Sequence, residues 1–344
     1  MNSELRVMIA GIAGASLGTE ILKCLMLAGG YTIFGCDISP LAYGHYVEEF
    51  EQTFLVDRAN YVDSVLDVCR QARCDFVIPG GEEPMILLAQ AKPAFDAEGV
   101  RVAMNSHELV KLLSNKLTCF ELLSELGFRV PVTRSVTNQE DLNGIPFPCM
   151  IKPATGSGGS VFAFIAGCEV EALRYIEYLI RNDQTPVIQE YVPIDEGEFS
   201  IGVLSLLDGS VAGSVALRKV FASKLSITMR GKDGLITSPY SQGFIDEFPE
   251  VRTQAQRIAV AIRSRGPINI QGRIRDGIFV PFEINPRFSG GMYLRAMAGF
   301  NDVDAFLQYL ATGDCPLPQG PVRTGYYLRS LTETFVPVGK IKHA

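Results

Sequence analysis

The chain has no tryptophan and only three histidines, at 45, 107 and 343. Its eight cysteines, at 24, 36, 69, 74, 119, 149, 168 and 315, form no CxxC pair. Cys69 and Cys74 have no second pair to complete a zinc site, so a cage of His and Cys ligands is not expected. No run of about 18 apolar residues occurs, and no segment is expected to cross a bilayer as a helix. The N-terminus, "MNSELRVMIAGIAG", enters a strand pattern without the basic start and apolar core of a secretory signal. Scattered thiols then fit a reducing, cytoplasmic setting. Lysine and arginine are nowhere massed, and the net charge is -7. Neither a nucleic acid nor an anionic membrane is therefore expected as the main partner, although a local basic pocket for a phosphate remains compatible.

What is present is an ordinary globular composition, 47% hydrophobic and 20% charged. That is enough to bury a large core, and 344 residues suffice for two or three domains. Strand and helix patterns alternate at the start: "LRVMIAG", "GTEILKCLMLAGG", "YTIFGCD", "YVDSVLDVCRQAR" and "CDFVIPG". Such alternation predicts an α/β domain with a parallel sheet to about residue 104. A helical stretch follows, with Leu109, Leu112, Leu113, Leu117 and Phe120 at helical spacing. Beyond it the pattern turns to hairpins, one around Asp208-Gly209 and one around Asp276-Gly277. A last helix is expected near 301–312, then a tail rich in proline and glycine with one possible strand, "TGYYLRSL".

Two glycine loops invite a nucleotide. The first, "GIAGASLG", carries Gly11, Gly14 and Gly18 between a strand and a helix, and Asp37 ends the next strand. The spacing departs from GxGxxG, so a tight turn is preferred over NAD binding. The second, "KPATGSGGS" at 152–160, joins two strands. Its glycines could let backbone N–H groups close on phosphate oxygens beside Lys152, or it could be a flexible hairpin loop.

The stretch "PFEINPRFSGG" decides between them. Glu283, Asn285 and Arg287 alternate along one strand face, and the turn at 276–277 brings Gln271 nearly opposite Glu283. Converging oxygens are how hard divalent ions are held, and Arg287 would meet a phosphoryl oxygen. A buried Glu283–Arg287 ion pair is the plainer alternative. A site lined by polar groups and neutralised by metal and nucleotide explains the pattern better.

Together "NK" at 115–116, "IKPATGSGGS", "IQEYVPIDEGEFSIGVL" and "EINPRFSGG" resemble the ATP-grasp superfamily, in its carbamoyl-phosphate-synthase-like branch. The resemblance implies a mixed α/β and α+β chain. A Rossmann-like pre-ATP-grasp domain would span 1–104 and an ATP-grasp domain 105–313, with its glycine-loop lobe at about 130–190. A C-terminal extension, 314–344, lies outside it. It implies ATP and Mg²⁺ as cofactors, with Mn²⁺ as a substitute. Lys116 and Lys152 would contact phosphates under a loop containing Ser157, Gly158 and Gly159. Glu190, Tyr191 and Val192 would meet the adenine edge, and Glu198 the ribose. Gln271, Glu283 and Asn285 would hold the metal. Many relatives carry an acid at the place of Gln271, which lowers the negative charge expected here.

The implied reaction is ATP-dependent activation of a carboxylate as an acylphosphate, ADP-forming, then attack by an amine or similar nucleophile. Lys152 and Arg287 would act on the phosphoryl group. Arg230, in the basic stretch holding Arg218, Lys219, Lys224 and Lys232, would bind the substrate's carboxylate or phosphate, unless that stretch is only a solvated loop. Glu82 or Glu83 could meet an amine. The expected partners are small-molecule acids and amines, and homodimerisation is left open. Bicarbonate as the activated acid, a non-catalytic ATP-binding regulator and an NAD-dependent oxidoreductase are the competing readings.

Overall fold

The computed structural model describes residues 4–156, 162–317 and 320–342. The first sheet grows from the alternating pattern read above: β1 (Leu5–Ala10), α1 (Leu17–Ala28), β2 (Tyr31–Asp37), β3 (Gln52–Leu55), α2 (Tyr61–Gln71), β4 (Phe76–Pro79), α3 (Glu82–Ala97) and β5 (Arg101–Val102). Its five strands are parallel, in the order β3-β2-β1-β4-β5. Strand β1 shows why the run is apolar throughout. Val7 and Ile9 enter one core, Met8 and Ala10 the other, so both faces of the sheet are covered.

Helices α4 (His107–Leu113) and α5 (Lys116–Glu125) lead into a small lobe. There β6 (Thr133–Ser135), β7 (Cys149–Pro153), β8 (Phe164–Ala166) and β9 (Pro186–Glu190) form an antiparallel sheet, with α6 (Glu169–Arg181) on one face. Cys149 and Ile151 pack on Ala172, Ile176 and Leu179 of that helix. By strand alternation Met150 and Lys152 point the other way.

The rest builds a six-stranded antiparallel sheet. Its elements are β10 (Glu198–Ser205), β11 (Val211–Val220), the small hairpin β12 (Ile227–Gly231) and β13 (Gly234–Thr237), β14 (Gln242–Asp246), α7 (Pro249–Ala261), β15 (Pro267–Arg275), β16 (Ile278–Asn285), α8 (Met292–Met297), α9 (Asp302–Thr312) and β17 (Gly325–Tyr327). The order is β16-β15-β10-β11-β14-β17, with β12 and β13 paired separately. The tail thus supplies an edge strand on β14, where Phe244 pairs with Tyr326.

Alternation along this sheet separates core from site. Phe199, Ile201, Val203, Ile268, Ile270 and Ile284 pack against α4, α5 and α7. Their neighbours Ser200, Asn269, Gln271, Arg273, Glu283 and Asn285 face the opposite way and line a cavity. Helices α8 and α9 bind the two large sheets together, because Leu294, Val303 and Phe306 share one core with Val7, Ile9, Leu204 and Val215. Among the described residues, no helix is long and apolar enough to cross a membrane.

Candidate active site

The central sheet and the small lobe face each other across a cavity of about 390 Å³, within the range of small-molecule sites. Met150, Lys152 and Gln189 reach it from the small lobe, and the polar row of β10, β15 and β16 from the other side. Apolar lining comes from Leu217, Leu235, Ile236 and Phe282, and the Tyr191–Val192 connection also borders it. The first domain contributes Ser16, Leu17, Glu20 and Glu82.

The hairpin of β15 and β16 is built as its sequence requires. Asp276 and Gly277 turn with φ of 54° and 71°, the left-handed pair favoured in two-residue hairpin loops. Gln271 then pairs with Glu283, and Asn269 with Asn285. Asn285 Nδ2 donates to Glu283 Oε1 at 2.9 Å, and the other carboxylate oxygen and the amide oxygen have no hydrogen-bond partner among the described residues.

Lys152 is 7% exposed, and its Nζ donates to Gln189 Oε1 at 2.7 Å and to the Phe282 carbonyl at 3.4 Å. Burial pulls its pKa down to about 7; the Lys116 ammonium adds to the fall and Glu283 opposes it. Lys116 is held next to the end of β7 by its own N–H, which donates to the Ala154 carbonyl at 2.9 Å. Burial lowers it too, against the pull of Glu283 and Glu82. Arg287 donates from Nη1 to the Phe288 carbonyl at 2.9 Å, while its buried Nε has no partner among the described residues. Burial again lowers it, with Glu82 and Glu283 opposing. Three cations held partly out of water at one cavity are costly until an anion joins them.

Several expected site residues are placed differently. The Gln271 side-chain oxygen accepts from Lys219 Nζ at 2.8 Å. An ammonium can only donate, so the amide must turn its oxygen to Lys219, and the remaining NH₂ cannot ligate a metal. Glu198 is fully enclosed: Oε1 meets Lys219 Nζ at 2.8 Å and Thr237 Oγ1 at 2.8 Å, and Oε2 meets Arg273 Nε at 2.8 Å. Burial alone would raise its pKa, but Lys219 and Arg273 outweigh that and hold it below the usual carboxylate range. It joins three strands instead of presenting oxygens to a ribose. Arg230 is carried outward on β12 into an adjoining, more open recess that shares Tyr191 and Leu235 with the cavity, and it does not line the cavity itself. Glu190 spends its carboxylate on Arg275 and on the Val132 N–H at 3.1 Å, and the residue borders the cavity together with Tyr191 and Val192. Ser157, Gly158 and Gly159 lie outside the described residues.

The first glycine loop is a tight turn. A Cβ on Gly18 would fall 1.9 Å from the Gly11 carbonyl oxygen, and one on Gly80 2.0 Å from it. Asp37 is committed to the same turn, accepting from the Ile12 and Ser39 N–H groups at 2.8 and 2.9 Å. Of the two acids at the start of α3, Glu82 faces the cavity and Glu83 pairs outside with Arg58. Sequence reasoning missed Arg273, although the alternation Asn269, Gln271, Arg273 along β15 points to it. It also missed Glu20, Arg295 and Arg329, whose local sequence carries no such signal.

With this geometry in view, a family model described as ATP-grasp in the biosynthetic pathway with Ter operon matches residues 183–334. A second, PylC-like N-terminal domain, matches residues 12–103. The chain carries an ATP-grasp domain. The carbamoyl phosphate synthase large chain of Neisseria meningitidis serogroup B is 25% identical over 236 residues, 66% of this chain but 21% of that protein. The chain thus spans about a fifth of that relative's length. Among solved structures, the L-amino acid ligase of Bacillus licheniformis superimposes with a TM-score of 0.66 at 17% identity, over 91% of this chain and 75% of that one. The biotin carboxylase domain of Hydrogenobacter thermophilus 2-oxoglutarate carboxylase, solved with MgADP and bicarbonate, gives 0.64 at 15% identity, over 89% and 69%. At such identities the superpositions establish the ATP-grasp fold, and the first domain is the PylC-like unit that precedes it.

Among the described residues no three His, Cys, Asp or Glu side chains form a metal cluster. Glu283 and Asn285 nevertheless fit Mg²⁺, which needs only one or two carboxylates when it keeps waters and takes phosphate oxygens. Gln271, turned to Lys219, does not fit.

Proposed function

We propose that this chain is an ATP-dependent, ADP-forming ligase that activates a carboxylate as an acylphosphate and joins it to an amine or similar nucleophile. One observation carries the reading: Lys116, Lys152 and Arg287 share a cavity with the Glu283–Asn285 pair, an arrangement suited to a polyphosphate and its metal. Lys116 and Lys152 bind phosphate oxygens. The backbone of Glu190–Val192, with Met150, Leu217 and Phe282 around it, receives the adenine. Glu283 and Asn285 would hold Mg²⁺, which when bound neutralises charge on the phosphates. Arg287, whose Nε has no partner among the described residues, steadies the phosphoryl group as it leaves ADP for the carboxylate. A carboxylate oxygen is a poor leaving group until phosphorylated, and the amine then displaces phosphate from the acyl carbon.

Family and neighbours support the class of reaction, and the acid and the nucleophile are proposals of this chain's geometry alone. The organisation proposed is a domain of 1–104, an ATP-grasp unit of 105–313 and a tail that adds β17 to it. The NAD reading is not favoured, since Asp37 and the glycines of the first loop are committed to the turn itself, although Ser16 and Leu17 of that loop border the cavity.

The test is phosphorus NMR of MgATP with panels of carboxylates, bicarbonate included, and amines. ADP and orthophosphate should form, and hydroxylamine should trap the activated acid as a hydroxamate. AMP, or a phosphate ester stable to hydroxylamine, would overturn the assignment.

A further inference from the structure

Among the described residues Arg295 is the largest fully buried side chain, 1% exposed, and it lines the same cavity. A guanidinium so enclosed normally has its five donors satisfied. Here Nε, Nη1 and Nη2 all lack hydrogen-bond partners among the described residues. The nearest carboxylate, Asp302 Oδ2, stands 3.6 Å from Nη2, beyond hydrogen-bond length. It balances the charge but leaves the donors empty, and each unmet donor is costly in the interior.

The fold nevertheless makes room for this group. Gly202, in the middle of β10, would place a Cβ 2.5 Å from Arg295 Nε. A glycine inside a strand weakens it and often marks a close approach. Gly291 leaves space on the other side, its Cβ position lying 3.7 Å from Nη1. The adjoining Gly290 carbonyl accepts from Arg329 Nη2, which also meets Glu20 Oε2 at 3.1 Å. Arg329 comes from the tail, where its N–H donates to Gln242 Oε1 at 3.2 Å. A second guanidinium thus borders the same part of the cavity, pinned there by an acid from α1.

We propose that Arg295, flanked by Arg329, is the recognition site for a carboxylate of the substrate, distinct from the phosphate site of Lys116 and Lys152. The guanidinium fork matches a planar carboxylate in bidentate fashion, and the bound group would supply the partners that the protein withholds. The tail is then part of the substrate site. This rests on the ligase reading, and it adds which residues select the acid.

Trifluoroacetate serves as the probe, followed by fluorine NMR on the full chain saturated with MgADP. MgADP affinity is measured first by calorimetry, and its absence would count against the nucleotide reading alone. With MgADP bound, the wild type should bind trifluoroacetate and Arg295→Met should bind it about tenfold or more weakly, as for the loss of a charged bidentate bond. Its MgADP affinity should be unchanged. Arg295→Lys keeps the charge opposite Asp302, guards against misfolding of the first variant, and should still bind several-fold more weakly. Failure of the wild type to bind the probe overturns the proposal, as does wild-type affinity in the lysine variant. Displacement by inorganic phosphate with undiminished binding in Arg295→Met assigns the probe to the phosphate site and also overturns it.

Discussion

Lys219 Nζ and Glu198 Oε1 lie 2.8 Å apart with both side chains almost wholly out of solvent, 4% and 0% exposed. Arg273 completes the group on the other carboxylate oxygen. Removing one partner of such a set leaves charge uncompensated in the interior. Glu198→Ala should therefore destabilise the fold by about 3–5 kcal/mol, because two cations lose their common anion. Urea denaturation measures this, and a loss below about 1 kcal/mol would show that the cations find other partners.

Glu283→Gln should behave in the opposite way. The change is nearly isosteric and the side chain is only half-buried, so folding stability should stay within about 1 kcal/mol of wild type. Metal-dependent ADP release should fall by orders of magnitude, since the only carboxylate of the proposed Mg²⁺ pair is lost. Denaturation and ADP release on one preparation settle it, and near wild-type turnover would remove the metal assignment.

Lys152 predicts a proton linkage. Its free-protein pKa is held near 7 by burial and by Lys116, whereas phosphate oxygens would favour the ammonium and raise it. Between the two values the complex holds more protons than the free protein, so a non-hydrolysable MgATP analogue should bind with proton uptake near pH 7.5. Its affinity should fall as pH rises. The free protein shows the complementary trend, gaining stability as pH climbs from about 7 towards the ordinary lysine value, because the unfolded chain keeps the proton longer. Calorimetry in buffers of different ionisation enthalpy reads the uptake, and Lys152→Met should abolish it.

Gly18→Ala separates the two glycine loops. The added carbon would collide with the Gly11 carbonyl, and relief of that overlap should cost about 1–3 kcal/mol of stability. Nucleotide affinity of the folded fraction should change little, because the cations proposed to meet the phosphates come from α5, β7 and the segment after β16. Equal loss of affinity and stability would place the nucleotide against the first domain.

How much was legible follows from the range of the forces. Alternation in "GIFVPFEINPR" and "NIQGRIR" separates a buried face from a polar one over a few residues, so the row of Gln271, Glu283 and Asn285 was readable before any fold was known. The βαβ order of the first domain was equally local, since apolar runs between glycine turns determine parallel strands. The turn at Asp276-Gly277 even set the register that brings Gln271 opposite Glu283. Tertiary structure alone decided what each polar group faces. Lys219 lies 52 residues from Gln271 and takes its oxygen away from the proposed metal site. Glu198, read as open to a sugar, is closed by cations from two neighbouring strands. Arg329 lies 309 residues from the acid of α1 that holds it at the cavity, and Arg295 reaches the same cavity because Gly202 leaves it room. Burial and charge pairing act through space, and only the packed sheets bring those partners within reach.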